Sequence, residues 1–206
     1  MNTKIRATLL TLAIVSCFAL GHANATTYSI DTDHSSVSFK IRHLLSNVQG
    51  SFNQFDGHFD YDPDKPDSWN AEATIQAASI DTNVTQRDNH LKGKDFFDVE
   101  TYPVITFKST RVTEVTPTSA KLQGLLSIHG VEKPVTMDLQ IQGVEKDPWG
   151  NTIASFSATT VINRKDFGLT WNKAVESGQL LVGEEVTITI DVAGLLKQEA
   201  NAAATN

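Results

Sequence analysis

The chain has one cysteine in 206 residues, Cys17. It falls inside an N-terminal leader. Once that segment is removed, disulfides, thiolate nucleophiles and Cys-ligated zinc are excluded together. Positive charge is also scarce, with 17 Lys+Arg against 24 Asp+Glu and no basic run. A nucleic-acid module needs concentrated cations to neutralise phosphates, so that class is disfavoured. Neither H-E-x-x-H nor H-x-x-x-H occurs, nor a G-x-S-x-G elbow, nor a glycine-rich phosphate loop, which removes the common short signatures of zinc hydrolases, serine hydrolases and nucleotide binders. Aromatics make up only 8% of the chain. With 40% hydrophobic and 20% charged residues, the composition is that of an ordinary globular domain rather than a disordered or multi-span chain.

One long apolar run is present, Leu9 to Leu20, preceded by Lys4 and Arg6 and followed by Ala23-Asn24-Ala25. A positive start, an apolar centre and small residues in A-x-A spacing form a secretory signal peptide, so residues 1–25 are expected to be cleaved and the mature chain to begin at Thr26. Ile14-Val15-Ser16-Cys17 loosely fits lipoprotein processing, which would instead leave an anchor on Cys17. Against it, the apolar run continues through Phe18-Ala19-Leu20 to a better cleavage site.

From Val37 onward the dominant signal is alternation with period two. Glu185 to Val192 and Val135 to Gln142 place apolar and polar residues on opposite faces almost without error; Val37 to Arg42 and Ala71 to Ala77 do so more briefly. Phe52 to Tyr61, Val104 to Ser109, Leu122 to Ile128 and Ile153 to Ile162 complete about eight strands. Turn residues separate them, as in Pro63-Asp64-Lys65-Pro66-Asp67, His129-Gly130 and Asp147-Pro148-Trp149-Gly150-Asn151. Such strands without intervening helices predict an all-β antiparallel sandwich or barrel. The exception is 81–100, where Asp81 or Thr82 is expected to cap a short helix through Leu91, followed by a loop with buried aromatics at Asp95-Phe96-Phe97-Asp98. One domain over 26–196 is expected, with 197–206 a polar, frayed tail. A barrel closes its own edges, and about eight strands enclose side chains or one small ligand. An outer-membrane barrel shares the alternation but wants longer strands and aromatic girdles, which this chain does not offer.

Five histidines follow the leader: His34, His43, His58, His90 and His129. Asp31-Thr32-Asp33-His34 and His58-Phe59-Asp60 resemble metal ligands locally, but the five lie in separate segments, and no metal site is expected. Ser127 and His129 are two apart on one strand face and do not make a nucleophile–base pair. Asn83-Val84-Thr85 fits a glycosylation sequon, and no acidic pair stands out for glycoside hydrolysis. Two polar clusters remain. Arg87-Asp88-Asn89-His90-Leu91, beside Lys92 and Lys94, would sit on the helix, either meeting a polar or anionic head group at a barrel mouth or forming a solvated face. Asn163-Arg164-Lys165-Asp166-Phe167-Gly168 follows a strong strand and marks either a barrel rim or a turn with positive φ at Gly168.

Taken together, six blocks resemble the YceI family in order and spacing: Asp33 to His43; Gly50 to Gly57; Ser79-Ile80-Asp81-Thr82 with Arg87 to Leu91 and Asp95 to Asp98; Tyr102 to Thr110; Gly124 to Val135; and Asn163 to Gly168. The resemblance implies an extended, lipocalin-like, eight-stranded antiparallel barrel with a short helix between strands. It implies a periplasmic, non-enzymatic protein that binds a polyisoprenoid, an isoprenoid quinone or another long-chain amphiphile, often as a homodimer. The G-x-W opening of lipocalins themselves is absent, so that likeness is architectural.

Burial of an alkyl tail supplies about 0.8 kcal/mol per methylene, so ten methylenes give roughly micromolar affinity if ordering costs are small. No cofactor other than such a lipid or quinone is expected. The tail candidates are Phe39, Ile41, Phe107, Leu126, Phe156 and Ile162, and the headgroup candidates Arg42, Arg87, His90 and Arg164. Two alternatives stand beside a carrier: a hydrolase or other enzyme using the Arg87–His90 cluster, and a stress-linked interaction protein with a filled barrel. Intact-mass measurement of the secreted protein is expected to give Thr26 as its first residue; a lipidated Cys17 would overturn this.

Overall fold

The computed structural model describes residues 26–176 and 178–197; the leader, Cys17 and all of the tail except Lys197 lie outside them. The strands are β1 (Thr27–Ile30), β2 (Ser36–His43), β3 (Ser46–Phe52), β4 (Phe55–Asp60), β5 (Asn70–Gln76), β6 (Ile80–Asp81), β7 (Val104–Thr113), β8 (Ser119–Ile128), β9 (Val131–Lys146), β10 (Thr152–Asn163) and β11 (Val182–Leu196). One α-helix, α1 (Thr85–Lys92), stands between β6 and β7.

The eleven segments make eight barrel strands. β11 pairs with β2 along its first part and with β1 at its end, so 27–43 is one strand interrupted at 31–35. β3 and β4 likewise form one strand, broken at 53–54, and β5 and β6 another, broken by the 3-10 turn Ala77–Ser79. Every neighbour in sequence is then a neighbour in the ring, antiparallel throughout, with β11 closing on the first strand. At the first break a side chain replaces the ladder. Ser35 Oγ accepts from the Ala193 N–H (3.0 Å), giving it a partner, and donates (3.3 Å) to the Ala193 carbonyl, which also accepts from the Asp31 N–H (2.8 Å).

Alternation settles which face turns inward. In β8, Ala120, Leu122, Gly124, Leu126 and Ile128 are buried and their neighbours are not. The outer face carries cross-strand ion pairs at directly opposed positions, Glu72–Lys108 (2.6 Å) and Lys121–Asp138 (2.7 Å), which favour this register. That is the reverse of a membrane-spanning barrel, whose apolar band faces outward.

The helix departs from expectation at its start. Asn83 takes a positive φ of 62°, inserting a turn that moves the helix to Thr85 and leaves Val84 at the N-cap without a side-chain bond. Asp81 accepts instead from the Asn83 N–H (2.7 Å), and Asp88 reaches back to the Thr82 N–H (2.9 Å) and hydroxyl (2.5 Å). Phe96 is buried in the following loop, as its sequence predicts.

Two glycines let aromatic rings lie along the wall instead of across the axis. Phe39 covers Gly50, directly opposite it, and Phe107 covers Gly124; a Cβ at either glycine would meet the ring at 2.5 Å. Gly124→Val, which also meets the Lys108 carbonyl, is therefore expected to push Phe107 into the bore and cost about 1–3 kcal/mol. Urea unfolding checks the stability; an unchanged midpoint would contradict the packing.

Candidate functional site

Inside the barrel is a cavity of about 670 Å³, within the usual range for small-molecule sites. Its walls are the inward apolar side chains of the strands. Phe39 and Ile41 of β2, Phe107 of β7, Leu126 of β8, Ile162 of β10, and Val186, Ile188 and Ile190 of β11 all line it. On β11 those inward residues are only half-buried, whereas inward residues of β8 are fully buried. The bore therefore lies against β2 and β11, and the opposite wall is closely packed.

The floor is aromatic. Tyr28 stacks on Phe59 (5.3 Å between centroids), Phe59 and Tyr61 meet Phe156 edge-on (5.3 and 4.9 Å), and Tyr61 packs on Trp69 (4.7 Å). The Trp69 indole donates to the Asp62 carbonyl (2.6 Å), giving its buried N–H a partner. Burial, and to a lesser degree the nearby Asp62 charge, pushes the Tyr28 hydroxyl above its ordinary pKa. For Tyr61, burial is again the main cause, followed by Tyr28 and Asp62. A second space of about 120 Å³ lies within this plug; Ile30, Phe107, Met137 and Ile190 border both spaces.

The mouth is at the other end, framed by α1, the β2–β3 hairpin and the segment 169–182. His90 sits edge-on to Phe96 (5.1 Å) and Trp171 (5.0 Å), and its Nε2 lies 2.9 Å from Asp95 Oδ2. Arg87 and Arg164 border the same cavity. Arg87 donates through Nε to Thr82 Oγ1 and through Nη2 to the Thr82 carbonyl, both at 2.7 Å. Arg164 is only 3% exposed. It sits on the 3-10 turn Arg164–Phe167, which Asn163 caps and Gly168 ends with φ of 79°. Its Nε donates to the Gly183 carbonyl (2.8 Å) and its Nη1 to the Leu169 carbonyl, while Nη2 is buried without a partner. Burial pushes the guanidinium pKa down, only partly offset by the Glu184 charge.

Of the six tail candidates, Phe39, Ile41, Phe107, Leu126 and Ile162 border the main cavity. Phe156 points inward but belongs to the aromatic floor and the smaller space. Of the four headgroup candidates, Arg87, His90 and Arg164 come together at the mouth. Arg42 does not border the cavity: it alternates with inward Ile41, lies exposed, and donates to the Leu44 carbonyl (3.1 Å). Sequence reasoning missed Val186, Ile188 and Ile190, although their strand shows the clearest alternation. It also missed Trp171, whose loop has no periodicity to read. In the Arg87–His90 cluster the Thr82 hydroxyl donates to Asp88, and the Nε2 of His90 meets Asp95. Nor does any group of three or more His, Cys, Asp or Glu converge as metal ligands among the described residues.

Comparison with known proteins agrees with this architecture. A UPF0312 protein of Vibrio cholerae serotype O1 is 36% identical over 169 residues, covering 80% of this chain and 89% of the relative. The crystal structure of Burkholderia cenocepacia BcnA superposes with a TM-score of 0.69 at 26% identity, covering 80% of this chain and 98% of that one. A domain of Saccharophagus degradans described as polyisoprenoid binding shares the fold, with a TM-score of 0.59 at 15% identity and coverage of 84% and 99%. A family model for the YceI-like domain matches residues 28–194. With nearly the whole barrel inside that match, the chain belongs to the YceI family.

Proposed function

We propose that this protein is a periplasmic carrier or scavenger that holds a polyisoprenoid, an isoprenoid quinone or a similar long-chain amphiphile in its barrel, and is not an enzyme. The observation that carries this reading is the apolar cavity of about 670 Å³. A hydrocarbon suits this lining better than water, which needs polar partners that the apolar walls do not offer. The polar groups gather at the mouth and the aromatic plug closes the other end, so an amphiphile fits with its tail inward and its head beneath α1. The polyisoprenoid-binding description of the Saccharophagus domain supports the same ligand class. A filled barrel serving only as an interaction surface does not accord with a space of this size.

Organic extraction of the purified protein followed by mass spectrometry is expected to yield a long-chain species near one per barrel. Repeatedly empty extracts would count against the proposal. Ile188→Trp adds bulk beside Phe39, its cross-strand partner, in the half-open part of the bore. This variant is expected to remain folded by circular dichroism and to lose most of its capacity for a linear alkyl probe such as hexadecanol. Undiminished binding would place the tail elsewhere.

A further inference from the structure

The turn between β2 and β3 carries residues that a hairpin of this length ordinarily avoids. His43 pairs with Ser46, so Leu44 and Leu45 alone make the turn. Two-residue hairpin turns need a positive φ at their first residue and are usually built from Asn, Asp or Gly. Here Leu44 takes a φ of 52°, and Leu45 is 96% exposed. Strained backbone and exposed apolar surface thus coincide at one tip of the mouth.

Leu45 does not stand alone. The Leu44 N–H donates to the Leu181 carbonyl (2.9 Å), which joins the tip to the segment 169–182. Leu180 in that segment is 40% exposed, and Val84 at the N-cap of α1 is 46% exposed. Leu181 and Val84 also line the cavity. Apolar surface therefore extends from the bore onto the rim.

Charge on the same hairpin is opposite in sign to that of the molecule. Residues 36–52 include Lys40, Arg42 and His43 and no acid, in a chain whose formal charge is −7. Lys40 and Arg42 are exposed, alternating with inward Phe39 and Ile41, and neither is in an ion pair among the described residues. The Arg42 guanidinium donates to the Leu44 carbonyl (3.1 Å), which holds its charge at the tip. Lys173 and Glu176, on the adjoining segment, offset one another. Screening acts over about 8 Å at physiological ionic strength, so an approaching surface senses this local charge more than distant acids.

We propose that the β2–β3 tip is a docking element for an anionic lipid bilayer. Leu45 enters the interfacial region while Lys40 and Arg42 meet lipid phosphates, which turns the mouth of the barrel toward the membrane. The proposal goes beyond the contents of the cavity and does not depend on them. A protein partner fits less well: stable protein interfaces bury on the order of 1,200 Å² or more and disfavour lysine, and a convex two-residue tip offers no such area. A leucine with two cations gives weak, reversible attachment, short of a lipid anchor or a spanning helix.

The test is co-sedimentation of the purified protein with vesicles of phosphatidylcholine alone, or of an equal mixture of phosphatidylcholine and phosphatidylglycerol. The wild-type protein is expected to bind the mixed vesicles about tenfold or more tightly, with the preference falling as salt is raised. Lys40→Gln combined with Arg42→Gln is expected to remove most of that preference. Leu45→Asn, which suits the turn, is expected to weaken binding to both vesicles about tenfold. Trp149→Ser removes an 85% exposed ring from the β9–β10 turn at the opposite end and is expected to change nothing. If Trp149→Ser abolishes binding and Leu45→Asn does not, the membrane meets the closed end and the proposal fails. Equal binding to both vesicles, or binding to neither, also overturns it. None of the substituted residues borders the cavity, so hexadecanol affinity is expected to stay unchanged in every variant. A wild-type protein that binds hexadecanol but no vesicle keeps the carrier and loses the docking element; the reverse result loses the carrier alone.

Discussion

The constraint on which the structure depends is geometric. Eight strands closed into a ring present one apolar face to an interior that their side chains do not fill. Closure removes exposed edges, and alternation assigns every other residue to the bore. Side-chain volume then decides whether that bore becomes core or cavity. Two choices leave it open. Aromatic rings at Phe39 and Phe107 lie flat over Gly50 and Gly124, and the β2–β11 wall carries Ile41, Val186, Ile188 and Ile190, with no ring on β11 to cross the axis. Large residues facing each other at these positions would have made a solid barrel from the same backbone.

The two ends of the ring carry opposite chemistry, and chain connectivity explains why. Both described ends of the chain meet at the closed end: Lys197 N–H donates to the Thr27 carbonyl and Tyr61 N–H to the Thr26 carbonyl. There the strands continue to pair, and the stacked rings of Tyr28, Phe59, Tyr61, Trp69 and Phe156 can meet across a narrow floor. At the other end β6 stops after two residues, and 82–103 covers the gap with a helix that has no buried residue of its own. The helix is held both by the bonds among Thr82, Asp88 and Arg87 and by Leu91, which packs against the core.

Legibility in the sequence followed the range of the interaction. β8 to β11 were readable because apolar and polar residues alternate along them, most clearly over Val135 to Gln142 and Glu185 to Val192, and that period comes from the local sequence alone. β1 was not, since four residues carry too little period. β3 was not either, because Ser46-Asn47-Val48-Gln49-Gly50-Ser51 offers one apolar residue before Phe52. The breaks that turn eleven segments into eight strands depend on partners far along the chain; Ser35 and Ala193 are 158 residues apart. At the site, the tail-facing strand residues followed from alternation. Arg42 failed as a cavity residue for the same reason that Ile41 succeeded, because neighbours on a strand face opposite sides. Phe156 obeyed the face rule but not the depth, which is set by register against β9 and β11 and by no local feature of its own.

Arg164 joins the fold to the chemistry of the mouth. Sequence alone offers a basic residue in a turn ending at Gly168, where solvation is the ordinary fate. The structure buries it because the 3-10 turn directs the side chain toward the carbonyls of Leu169 and Gly183. Those bonds tie the end of β10 to the loop that follows and to the start of β11, so one side chain fastens the rim. Two backbone carbonyls satisfy its hydrogen-bonding direction but not its charge. Replacing it with an apolar residue would relieve the charge while releasing the rim, and supplying a carboxylate from the barrel would neutralise it permanently. Glu184 offsets that charge only in part, because its carboxylate is bound to Lys165, so Arg164 fastens the rim through its carbonyl bonds rather than through an ion pair.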